Sequence, residues 1–145
     1  MVIVGHDKDA AAAEQARKVK AVDRTEWNLV SAIERADVVI LDLPLPEIRP
    51  TLVAMAGELK PGCVVTDTAS LKLPVLQAAA EVLPAHVFFV GGHPVIAAAD
   101  TSFYKATPKL FNKLPYCLTI TPTTSPEASQ VVSDLADRLG ANVLY

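Results

Sequence analysis

A rhythm of short apolar runs and amphipathic segments, repeated along the whole chain, is the strongest constraint on the fold. The apolar runs are "VIV" at 2–4, "ADVVILDLP" at 36–44, "CVVTD" at 63–67, "HVFFVGGHP" at 86–94, "YCLTIT" at 116–121 and "ANVLY" at 141–145. The run at 36–44 is almost continuously apolar, as in a strand covered on both faces. Helical patterns fall between the runs, at about 9–20, 47–58, 70–83 and 124–140. Pro46 and Pro50 mark the loop and first turn of the second helix, and Lys60-Pro61-Gly62 stops it. Pro74 sits near the first turn of the third. In the last, Thr124 or Ser125 can cap, Pro126 suits the first turn and Gly140 closes the helix. Residues 95–115 carry a weaker signal. Strands alternating with helices specify βαβ units, hence an α/β fold with a doubly wound, mostly parallel sheet.

A length of 145 residues fits one domain, spanning 1–145. The formal net charge is −3 with no cluster of lysine or arginine, which argues against nucleic acid as a partner. No apolar run approaches the ~20 residues that cross a bilayer, and the start has no basic-then-apolar leader. The expectation is a cytoplasmic protein that meets no membrane. Cys63 and Cys117 match neither a zinc nor a CxxC spacing, so no metal site is expected and both thiols read as buried.

Ligands of such sheets bind beyond the carboxyl ends of the strands. The residues there are His6 and Asp7, Pro44, Asp67 to Ser70, His93 and the threonines around Pro122. A first βα unit would hold a pyrophosphate with G-x-G-x-x-G at a helix N-terminus. Here a single Gly5 precedes His6-Asp7-Lys8-Asp9, and two acids repel a pyrophosphate. An acid just past a strand suits the second unit instead, where it holds the adenosine ribose. The stretch reads as strand two of a Rossmann-like sheet lacking its usual first strand and Gly-rich loop. The plainer reading is that Asp7 and Asp9 cap the following helix.

The segments "VIVGHDKD", "ADVVILDLPL", "KPGCVVTDTASLK", "FFVGGHP", "LFNKLPYCLTITPT" and "LGANVLY" follow in this order over almost the whole chain. In this the chain resembles the prephenate and arogenate dehydrogenases. The most specific pieces are D-x-x-S-x-K at 67–72 and G-G-H-P at 91–94. The resemblance implies oxidative decarboxylation of a cyclohexadienol in tyrosine biosynthesis, with hydride passing to NAD or NADP. It implies His93 as the group that takes the ring hydroxyl proton and contacts substrate, a role suited to histidine near neutral pH. Ser70 would orient the histidine or the substrate and border the cofactor. Asp7 would hold the ribose, with Lys8 beside it and Pro44 along the cofactor. Lys72 would face the substrate, prephenate or arogenate. Asp7 favours NAD, because a carboxylate repels a 2′-phosphate, and Lys8 softens that preference. Against these roles stand plainer ones: Ser70 as a helix cap, Lys72 as a solvated helix position, and His6 and His86 as structural residues.

Several departures from the family pattern shape the expectations. The expectation is a chain without the family's first strand, Gly-rich loop and first helix ahead of Met1, and without its helical dimerisation domain after Tyr145. "HPVIAAAD" puts Ala97 where glycine is expected and Ala99 where an acid is expected, with Asp100 one place on. Asp42 is unusual inside an apolar strand. Without a central strand, two sheet edges are left open. The expectation is that "VIV" slides into the vacant place; otherwise a second copy or a complementing chain covers the edges. The chain alone is expected to bind cofactor weakly and to be weak or inactive as an enzyme. The other reading is a non-catalytic Rossmann-like remnant serving in binding or assembly.

Overall fold

A computed structural model of the chain describes residues 1–96 and 106–145. The strands are β1 (Val4–Gly5), β2 (Arg24–Thr25), β3 (Val38–Leu41), β4 (Val64–Asp67), β5 (Phe88–Pro94), β6 (Pro115–Thr119) and β7 (Asn142–Leu144). The helices are α1 (Ala10–Lys18), α2 (Leu29–Ile33), α3 (Leu45–Met55), α4 (Lys72–Val82) and α5 (Pro126–Arg138). Strands β3 to β7 form one sheet in the order β3-β4-β5-β6-β7, parallel except where β5 meets β6. Helices cover both of its faces, as the α/β rhythm requires. On one face α3 and α4 bury Ile48, Leu52, Met55 and Val75 against Leu41 and Val65. On the other, α5 buries Ala128, Val132 and Ala136 against Val64, Val90 and Leu118.

The local signals act largely as read. Asp9 caps α1 by accepting from the Ala11 N–H at 2.9 Å, and Ser125 caps α5 through the Ala128 N–H. Gly62 and Gly140 take φ of +84° and +79°, the left-handed turn that glycine tolerates. Pro46 lies at the start of α3, but Pro50 sits inside that helix rather than in its first turn. Of the two thiols Cys63 is buried, whereas Cys117 is only half-buried.

One expectation fails. Strand β1 does not slide into the centre of the main sheet. It pairs in parallel with β2 alone, Val4 opposite Arg24 and Gly5 opposite Thr25, in a separate two-stranded sheet. Three contacts hold it there. The Ile3 carbonyl accepts from Asp23 N–H at 2.9 Å, the Gly5 carbonyl accepts from Glu26 N–H at 2.9 Å, and Ile3 N–H donates to the Asp23 carboxylate at 2.7 Å. A slide would break all three. Among the described residues, β1 and β3 therefore each keep one edge with no strand partner. Ala97, Ala99 and Asp100 lie outside the described residues.

Candidate active site

The carboxyl ends of β3, β4 and β5 gather the polar residues singled out above. The loop after β4 and the start of α4 carry Asp67, Thr68, Ser70 and Lys72, while β5 carries His93. An open cleft of about 330 Å³ lies there, lined by Asp42, Leu43, Leu45, Thr68, Ala69, Ser70 and Leu71. The unusual Asp42 has a local explanation, since its carboxylate accepts from the Thr68 hydroxyl at 2.6 Å across the mouth of β3 and β4.

Asp67 is the centre of the arrangement, and its side chain is fully buried. Its Oδ1 accepts from the Gly92 N–H at 3.2 Å and its Oδ2 from the Ala69 N–H at 3.1 Å. Lys72 Nζ also donates to Oδ2 and, at 2.5 Å, to the Gly92 carbonyl. A buried carboxylate needs such partners, because an unpaired charge away from water costs several kcal/mol. Burial still pushes the Lys72 ammonium below the ordinary lysine value, against the hydrogen bond and charge of Asp67.

The backbone leaves no room for a larger residue at Gly92. A Cβ there would lie 2.6 Å from the Asp67 carbonyl oxygen and 3.1 Å from the Tyr116 hydroxyl. Gly91 is tight as well, at 3.3 Å from Lys72 Cδ. The glycine pair of G-G-H-P thus lets β5 close onto the Asp67–Lys72 pair. His93 follows directly, half-buried, with Nδ1 buried and without a hydrogen-bond partner. Residues two apart on a strand share a face, so His93 lies on the face of Gly91 that meets Lys72.

Ser70 is exposed, and α4 begins at Lys72 with Leu71 as its N-cap, so the serine does not occupy the capping position. Lys72, expected from the family resemblance to face substrate, directs its ammonium to the Asp67 carboxylate and the Gly92 carbonyl. Asp67 was visible in the motif but not as an anchor, because its partners lie up to 25 residues away.

The remaining sequence-derived residues lie around β1 and the start of α3. Asp7 is exposed and accepts from the Asp9 N–H at 2.7 Å, so one of its oxygens braces the turn that Asp9 then caps. Lys8 pairs with Glu47 of α3 at 2.6 Å, a contact that ties the turn after β1 to the helix after β3. Pro44 is the N-cap of α3. His6 Nδ1 lies 3.0 Å from the Glu26 carbonyl, a structural contact to the strand next door. Among the described residues no group of three or more acidic, histidine or cysteine side chains could hold a metal ion. No described helix is long and apolar enough to cross a membrane.

The chain is 26% identical over 138 residues to the cyclohexadienyl dehydrogenase of Zymomonas mobilis, covering 95% of this chain and 47% of that protein. It is 28% identical over 134 residues to the prephenate dehydrogenase of Bacillus subtilis, covering 92% and 36%. It spans less than half the length of these relatives. Among solved structures, prephenate dehydrogenase from Aquifex aeolicus in complex with hydroxyphenyl propionate and NAD⁺ superposes with a TM-score of 0.90 at 23% identity, over 99% of this chain and 50% of that one. Arogenate dehydrogenase from Synechocystis superposes with a TM-score of 0.87 at 29% identity, over 97% and 49%. These superpositions establish the Rossmann-like fold. The family model for the nucleotide-binding domain of prephenate dehydrogenase matches residues 1–145, and the chain belongs to that family.

Proposed function

We propose that this chain is the cofactor-binding part of a dehydrogenase of tyrosine biosynthesis, acting in the cytoplasm on prephenate or arogenate. The observation that carries the reading is the clasp of Asp67 on Ala69 and Gly92, because it draws the Ser70 loop and the His93 strand to one sheet end. His93 removes the proton from the ring hydroxyl as hydride leaves the same carbon, and Ser70 orients the reacting groups. Asp7 holds the ribose hydroxyls, and Pro44 and Ser70 border the cofactor along the cleft of β3 and β4. When bound, the nicotinamide supplies the hydride acceptor. The residues present fit the ribose and nicotinamide ends of such a group. The turn at Gly5, with its two acids, does not fit the pyrophosphate.

NAD is favoured over NADP. Asp7 is exposed and would repel a 2′-phosphate, while Lys8, the cation that could offset it, is paired with Glu47. The unpartnered edges of β1 and β3 support one further element of the proposal: a second copy or a complementing polypeptide covers them. They also favour a second reading, a binding or assembly module without catalysis.

Calorimetric titration with NAD⁺ and NADP⁺ tests the enzyme reading. The enzyme reading expects NAD⁺ to bind with Kd below about 1 mM, near −4 kcal/mol, and NADP⁺ to bind less tightly. A folded sample giving no heat with either cofactor removes a working cofactor site from this chain alone, and leaves either a fragment that needs the rest of the enzyme or the assembly module.

A further inference from the structure

Lys72 and Asp67 form the most deeply buried ion pair among the described residues, with side-chain exposures of 15% and 0%. The other described pairs lie at the surface, where each contributes little. Stability alone is a poor reason to bury such a pair, since an apolar pair of similar shape does as well or better. What distinguishes this pair is the set of amides it holds. Ala69 is the residue before Ser70, and Gly92 is the residue before His93. A single carboxylate takes one N–H from each, and the lysine that neutralises it takes the Gly92 carbonyl as well.

We propose that Asp67 and Lys72 are positioning residues that lock the Ser70 loop and the His93 strand into one rigid unit, so that the two side chains keep a fixed separation. This deepens the proposed function and rests on its reading of Ser70 and His93. It assigns Lys72 to the support of the site rather than to the substrate. Two contacts to Gly92, one at each end of the same residue, remove both sliding and rotation of β5 at this point. The space around Gly92 closes the unit further, since even a Cβ would clash with the Asp67 backbone.

Hydrogen exchange read by NMR on the wild-type chain is the first test. A locked unit expects Ala69 and Gly92 to open together, with protection factors agreeing within about threefold. Free, loop-like exchange at Ala69 beside a protected Gly92 overturns the proposal. The second test is the paired variant Asp67→Asn/Lys72→Met, which removes both charges at once and strands neither. In the folded variant the imidazole nitrogen shifts of His93 should move. Exchange at Ala69 and Gly92 should rise about tenfold or more while the amides of α5 keep their rates. Unmoved His93 signals in a folded paired variant overturn the proposal. If that variant does not fold, the wild-type exchange decides alone. Failure of the underlying reading has a separate signature: turnover by the assembled enzyme that survives Ser70→Ala and His93→Asn, with the coupled exchange intact.

Discussion

Single residues near the candidate site are tuned by burial, with the neighbouring charges adding to the shift at one and opposing it at another. Burial raises the Tyr116 phenol above its ordinary value of 10.0, and the charges of Asp67 and Asp42 add to the shift. The folded chain therefore keeps this proton where the unfolded chain has lost it. The contribution is fully present below about pH 10 and is lost as the pH climbs through the folded value. Lys72 acts with the opposite sign. Its folded value lies below 10.5, so the unfolded chain binds that proton more readily and stability rises with pH through the interval between the two values. The difference between wild type and Tyr116→Phe isolates the phenol. Urea midpoints measured from pH 8 to 11 should show a shallower alkaline decline in the variant, and parallel curves would refute the assignment.

Elements form where their signals are local and dense. Helix α5 carries a capping serine, a proline at its start, Glu127 in the first turn, Arg138 in the last and a glycine stop, and all of these act in the structure. Ser125→Ala should cost about 1 kcal/mol, read as a shift in the urea midpoint with an unchanged slope. The same kind of signal was fainter elsewhere. Strand β2 has two residues and α2 has five, too short for any periodicity to register. The Asn28 side chain accepting from the Ser31 N–H at 3.1 Å was the one local mark of α2. Pro50 lies inside α3, since the packing of Ile48, Leu52 and Met55 carries the helix past it. Ser70 was readable as a cap by its place before an apolar helix. Only the observed helix start, at Lys72, separates it from that role.

At the scale of the whole molecule, helices cover both faces of the main sheet over its middle strands, while β3 keeps a free edge and a bare patch at Ile40. Helix α1 buries no residue, whereas α5 buries four. Ile40, in the middle of β3, is 51% exposed, and Ile3 beside β1 is 43% exposed. Apolar strands with unpaired backbone groups recruit another strand. Sedimentation at rising concentration should reveal association of the isolated chain, and Ile40→Lys should suppress it while leaving the folded monomer intact. A monomer at all concentrations in the wild type would remove the open-edge partner from the proposed function.

By itself the sequence determined the α/β class, the order of the elements other than β2 and α2, the caps of α1 and α5, the glycine turns, and which polar residues follow the strands. Each of these depends on neighbours a few positions apart, which hydrophobic period, proline and glycine report directly. Tertiary structure alone decided where β1 lies and which partners Lys72 takes. The cost of open edges favours "VIV" at the centre. Bonds from Ile3 and Gly5 to residues some 20 positions on hold it beside β2 instead. Lys72 could have faced solvent, substrate or a buried acid, all compatible with its place at the start of a helix. Its partner was settled by a carboxylate five residues away that folding removes from water, and by the carbonyl of Gly92, 20 residues on, which β5 brings within reach.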